Sequence, residues 1–181
     1  MKNLSKITFC IVLGFSAMLH TPKAHALDGC KILLCLAGPW ASIAACVPDV
    51  RQLFKDLAKG KPFPTCSMSG GGNSAMNTWI HPQSNCPPQY TIWSIHQESG
   101  QRYISGCTYS ASISTTVNGQ PWSRVYWSFG GNTVTEYSST AKAQMGNYAD
   151  AQFDTDYAAW LEAERIRLEE EERKNRDNGG N

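Results

Sequence analysis

The sequence predicts an α+β protein: a disulfide-stabilised N-terminal helical hairpin, a small antiparallel β-sheet of about four strands and a charged C-terminal helix. Three observations carry this. Six cysteines follow the first 26 residues, apolar residues between 28 and 60 recur at helical spacing, and Thr, Val, Ile, Tyr and Trp crowd residues 90–140 between turn signals. The 181 residues are 41% hydrophobic and 17% charged with net charge +1, which excludes a strongly basic nucleic-acid binder and a wholly disordered chain.

Residues 1–26 read as a secretory signal peptide. Lys2 and Lys6 precede the apolar run from Ile7 to Leu19, and Ala24-His25-Ala26 offers small residues at a cleavage site. The run is shorter than the ~20 apolar residues a membrane span needs, and no later segment is apolar enough to span. The expected product begins at Leu27 and resides in the periplasm or the medium beyond. Cleavage removes Lys2, Lys6 and Lys23 from 16 basic side chains set against 15 acidic ones, so the balance turns slightly negative. It also removes Cys10 and leaves Cys30, Cys35, Cys46, Cys66, Cys86 and Cys107, an even set suited to disulfides in an oxidising compartment. Their scattered spacing lacks the paired Cys-x-x-Cys of zinc sites and thiol oxidoreductases.

Residues 27–67 form the Cys-rich hairpin. Cys30 to Ala37 is apolar almost all round and ends at Gly38-Pro39. Val50, Leu53, Phe54, Leu57 and Ala58 then make one apolar stripe, with Arg51, Gln52, Lys55, Asp56 and Lys59 on the other side. Pro48 suits a first helical turn, and Gly60 and Pro62 supply the stop. An antiparallel hairpin brings Cys35 near Cys46 and Cys30 near Cys66, a nested pairing. Five helical residues rotate a side chain by roughly 140°, so Cys30 and Cys35 cannot both face the partner helix squarely unless one lies at a frayed end. Six cysteines allow about fifteen connectivities.

Residues 68–89, with Gly70-Gly71-Gly72 and Cys86-Pro87-Pro88, read as a linker. Four strands are expected beyond it: Tyr90 to Gln97, Arg102 to Val117, Trp122 to Phe129 and Asn132 to Ser138. In the second, Tyr103, Cys107, Tyr109, Ala111, Ile113 and Val117 share one face, and Ser110, Ser112, Ser114 and Thr116 the other. A two-residue turn at Asn118-Gly119 without a bulge would put Ile113 opposite Arg124 and strand Val125, Trp127 and Phe129 on the Ser/Thr face. A bulge at the turn would shift the third strand by one residue and collect its apolar residues on the core side. Cys86 and Cys107 make the natural third bridge, across the first hairpin. Residues 150–177 read as a charged, solvated helix with a thin stripe of Tyr157, Trp160, Leu161 and Leu168, fraying into a disordered tail at 178–181.

No catalytic signature is legible. His81 and His96 have no sequence-specified carboxylate or nucleophile partner, and Gly-x-Ser-x-Gly, Walker and His-Glu-x-x-His patterns are missing. The reading is a non-enzyme without metal or cofactor. Trp79, Trp93, Trp122, Trp127 and Trp160 are the candidate contact aromatics, although core packing has the first claim on large side chains in a small sheet.

The run Leu27-Asp28-Gly29-Cys30-Lys31-Ile32-Leu33-Leu34-Cys35-Leu36-Ala37-Gly38, then Cys46-Val47-Pro48, Leu53-Phe54 and Cys66, resembles the TrbM/KikA family of conjugal transfer proteins. The resemblance covers residues 27–67. It implies an exported accessory of mating-pair formation in a type IV secretion system, partnered by other envelope proteins of that apparatus and not by nucleic acid. No functional residue is carried over, because the matching positions look structural. A secreted module gripping glycans or a cell surface with sheet aromatics is the alternative, and an envelope hydrolase lacks a recognisable acid–base pair.

Overall fold

Asp28 starts the first helix, α1 (Gly29–Ala37), by accepting the backbone N–H groups of Cys30 at 2.9 Å and Lys31 at 3.3 Å. The computed structural model describes residues 26–67, 70–146 and 151–178. The expected signal peptide, but for Ala26, and the tail after Asn178 lie outside them. A short 3-10 turn at Trp40–Ser42 leads to α2 (Val47–Ala58), which carries Pro48 in its first turn and buries Val50, Leu53, Phe54 and Leu57 as the spacing predicts. Lys31 on α1 pairs with Asp49 on α2 at 2.6 Å.

Cys35–Cys46 and Cys30–Cys66 are both formed, nested as expected. The rotation problem is solved by placement. Cys46 caps the start of α2, whereas Cys30 turns to Cys66 in the chain beyond α2. That second strap runs so close that a Cβ on Gly29 would lie 2.2 Å from the Thr65 carbonyl oxygen, a contact only glycine permits.

The stretch read as a linker contains a strand, β1 (Ser74–Trp79), which corrects the expectation for 68–89. Its one-in-two apolar content is too sparse to announce it; pairing along all six residues with β4 (Ala111–Val117) makes it. Gly72, at φ +88°, lets two turns meet: its carbonyl accepts the Gly119 N–H at 2.9 Å, while Asn73 Oδ1 accepts the Asn118 N–H at 2.9 Å.

A second correction divides the expected strand Arg102 to Val117. It breaks at residues 108–110 into β3 (Arg102–Cys107) and β4, which belong to different sheets. Among the described residues β3 pairs with β2 (Thr91–Ile95) alone, and the Cys86–Cys107 bridge ties that hairpin to the preceding chain. Thr108 turns the corner by donating its N–H (2.9 Å) and hydroxyl (3.2 Å) to the Tyr90 carbonyl. The main antiparallel sheet runs β1-β4-β5-β6, with β5 at Gln120–Trp127 and β6 at Thr133–Tyr137.

The β4–β5 hairpin carries a bulge, inside the ladder and not at the expected place in the turn. Val117 pairs with Gln120 across Asn118-Gly119, the register shifts at Thr115/Thr116, and Ile113 thereafter faces Val125 and Ala111 faces Trp127. One face of the sheet therefore packs Ala111, Ile113, Val125 and Trp127 against Ile32, Leu36, Val50, Leu53 and Phe54 of the hairpin. Tyr126 and Val134 build a separate cluster with Tyr90 and Tyr109.

Ser138 caps α3 (Ser139–Met145), and α4 (Gln152–Asn178) realises the expected terminal helix. Its stripe differs. Phe153, Asp156, Trp160, Glu164 and Arg167 are half-buried, while Tyr157, Leu161 and Leu168 are exposed. Phe153 stacks on Tyr126 (centroids 5.8 Å apart), Asp156 accepts the Tyr90 hydroxyl at 2.7 Å, and Lys142 of α3 pairs with Asp154 at 2.7 Å. The helix is docked through its first turns, and i,i+3 and i,i+4 pairs of Arg165 and Arg167 with Glu162, Glu169, Glu164 and Glu171 support the rest. No helix among the described residues is long and apolar enough to cross a membrane.

Candidate functional site

Packing of α2 on the sheet leaves a cleft of about 620 Å³ between the outer edge of that helix and the β5–β6 turn, within the size range of ligand pockets. Its floor comes from the apolar stripe and the sheet. Phe54 stacks on Trp127 at 5.5 Å and meets the edge of Trp40 at 5.7 Å, with all three rings no more than 7% exposed. Trp40 keeps its indole N–H buried without an acceptor among the described residues.

The opposite wall is the turn Ser128–Asn132, closed by the Ser128 N–H on the Asn132 carbonyl (3.0 Å) and the Gly131 N–H on the Ser128 carbonyl (2.9 Å). Gly131 sits at φ +86°, which a side chain would resist, and the tight turn lifts Phe129 out at its tip. Phe129 is 66% exposed and lies 5.9 Å from both Trp79 and Trp127.

Charge on the helix side has one sign. Arg51, Lys55 and Lys59 stand at i, i+4 and i+8 along the rim, and among the described residues no carboxylate lines the cleft. Both acids of α2 are engaged elsewhere. Asp49 pairs with Lys31, and Asp56 takes Lys61 at 2.9 Å and the Gln52 amide at 2.9 Å. The Lys61 contact, foremost, holds the Asp56 carboxyl below its ordinary range against a smaller opposing effect of burial. None of the three rim cations forms an ion pair among the described residues.

The aromatics singled out from sequence are distributed unevenly. Trp127 is core and cleft floor together, and Trp79, exposed on β1 and 5.7 Å from Trp127, lies outside the cleft lining. Trp122 donates its indole N–H to the Ala37 carbonyl at 2.7 Å, a tie between sheet and hairpin. Trp93 lies under the Arg102 guanidinium (4.8 Å) and shares a second groove with Trp160 beneath α4. His96 stacks on Tyr103 at 4.3 Å. The six cysteines among the described residues are all in bridges, and no group of three or more His, Cys, Asp or Glu among the described residues is placed to hold a metal. Sequence reasoning missed Trp40, Phe129 and the rim cations as parts of one site. Their only signal was the i, i+4, i+8 spacing of the cations.

A polar cluster on the other face of the sheet also escaped notice. Tyr126 donates its hydroxyl to Glu136 at 2.9 Å, and Arg124 bonds to Ser114 at 3.2 Å and to the Tyr126 oxygen at 3.4 Å. Burial, only partly offset by Arg124, pushes the Tyr126 phenol up to about 12. An acid whose pKa is raised by folding stabilises the fold below its unfolded pKa of about 10, and that contribution is lost as pH rises through the folded value. Between about pH 10 and 12 the wild type should therefore lose roughly 2 kcal/mol that Tyr126→Phe does not lose. Parallel alkaline denaturation curves for the two proteins would refute this.

No family model, no curated protein and no solved structure matches the chain.

Proposed function

We propose that the protein is an exported envelope component that works by contact, as a periplasmic accessory of a conjugative type IV secretion system in mating-pair formation. The observation that carries this reading is the use of the four cysteines in the family-like segment. Cys30, Cys35, Cys46 and Cys66 are all spent on two nested cross-links. Such cross-links form and persist outside the reducing cytosol, and they hold rigid the helical segment on which the TrbM/KikA resemblance rests. The first point supports export and a place at the cell envelope, and the resemblance supports the conjugative assignment.

Deleting the gene in a donor strain should lower conjugation frequency by at least tenfold. Full-length gene should restore transfer, and a version lacking residues 1–26 should not. Unaltered transfer from the deletion strain would overturn the assignment.

A second reading, a secreted module that binds glycans, is favoured by one feature: Phe129 is exposed on the rim of an aromatic cleft, and the exposed Trp79 lies 5.9 Å from it. Quenching or a blue shift of tryptophan fluorescence on titration with peptidoglycan fragments would support it over contact with a protein.

A further inference from the structure

We propose that the cleft between α2 and the β5–β6 turn is the docking groove for an acidic peptide segment of a partner protein, one that carries a bulky apolar side chain among its carboxylates. The inference rests on the contact function above and specifies where and what that contact is.

Charge complementarity is the first argument. Among the described residues, Arg51, Lys55 and Lys59 line one wall without an ion pair and without a carboxylate opposite. Eight helical residues rise about 12 Å, so the row presents three positive charges over that length to whatever lies in the groove. A single small anion would meet one of them. A short polypeptide segment, at about 3.3 Å per extended residue, spans the row in four or five residues and can answer all three.

The floor supplies the second argument and separates peptide from sugar. Sugars stack on open ring faces, but Trp40, Phe54 and Trp127 turn theirs on one another and remain at most 7% exposed. What they leave is a depression, with Phe129 the exposed ring among its lining residues, on a glycine-flanked turn. A depression beside one free ring suits an aliphatic or aromatic side chain inserted end-on, the anchor-in-pocket arrangement of protein interfaces. Long cationic side chains at the rim then screen the anchor from water and speed encounter with an acidic partner.

The test is selection of a displayed library of random 12-residue peptides on oxidised protein purified after export. Enriched peptides should be net negative and contain Phe, Trp or Leu. A synthetic representative should bind at least tenfold more weakly to the triple variant Arg51→Glu, Lys55→Glu, Lys59→Glu and to Phe129→Ala, and should weaken steeply with added salt. Both variants alter exposed groups, and unchanged circular dichroism melting would establish that they fold. Enrichment of neutral or basic peptides, or equal binding to the charge-reversed protein, overturns the proposal. So does binding of anionic peptidoglycan fragments at this cleft in place of peptide.

Transfer assays keep the two readings apart. If the triple variant supports normal conjugation while the deletion does not, the groove is wrong and the accessory role stands. If the deletion transfers normally while acidic peptides still bind the cleft, the accessory role falls and the groove survives.

Discussion

Serine at both Cys30 and Cys66 should lower the thermal midpoint of the oxidised protein by roughly 10 °C. The bridge closes a separation of 36 residues, which in the chain-entropy treatment removes about 4 kcal/mol of freedom from the unfolded ensemble. Cys35–Cys46, spanning 11 residues inside that loop, already shortens its effective length. The logarithm makes this correction small, about 0.3 kcal/mol. For a chain of this size each kcal/mol moves the midpoint by about 2–4 °C. The native side of the balance points the same way. Without the bridge nothing covalent holds Thr65 against Gly29, and Leu27 and Phe63, which pack on the margin of the core, are released with it. Cys35→Ser/Cys46→Ser should cost less, about 3 kcal/mol by the same treatment, because its loop is shorter. Melting of both double variants by circular dichroism gives the ranking. A Cys30/Cys66 variant within 2 °C of wild type would mean that the strap adds nothing to the fold.

The helical hairpin was legible because its information is local. The stripe from Val50 to Leu57, the proline at its start and the glycine at its end all lie within one helix, and the nested bridges follow from the antiparallel path. Asn118-Gly119 was legible for the same reason, with both residues at positive φ as a two-residue hairpin turn demands. β1 was not, since Ser74, Asn77 and Thr78 acquire their strand only through pairing with a segment some 40 residues away. The break at residues 108–110 is equally nonlocal: the alternation runs on past Cys107, and the Tyr90 carbonyl bonding to Thr108 makes the chain leave one sheet for another. α4 shows a third case. Phe153 docks the helix although its nearest sequence neighbours are Gln152 and Asp154 and it lies ahead of the stripe that starts at Tyr157. The cleft combines these failures. Its cations were visible as the polar side of α2, but that they stand opposite Phe129 depends on how the bulged hairpin sets β5 against the helices.

Trp127 is where the two halves of the molecule are joined, and Trp127→Ala should destabilise the protein by about 3–5 kcal/mol. The ring is 1% exposed, stacks on Phe54 from the hairpin and lies 5.7 Å from Trp79 on β1. Through Phe54, Trp79 and Phe129 the ring touches hairpin, sheet edge and cleft wall, so collapse around the vacancy would have to move several elements together. The polar end adds a second cost. Its indole N–H donates to Asn77 Oδ1 at 2.9 Å, and truncation leaves that half-buried acceptor without its partner. Trp127→Phe keeps much of the stacking area and loses the donor, so it should cost about 1–3 kcal/mol and separate the two contributions. Trp93→Ala, on a ring 46% exposed over the second hairpin, should cost clearly less than Trp127→Ala. Urea denaturation of the three variants measures the order. Equal losses for Trp93→Ala and Trp127→Ala would show that burial at this junction does not govern the stability of the fold.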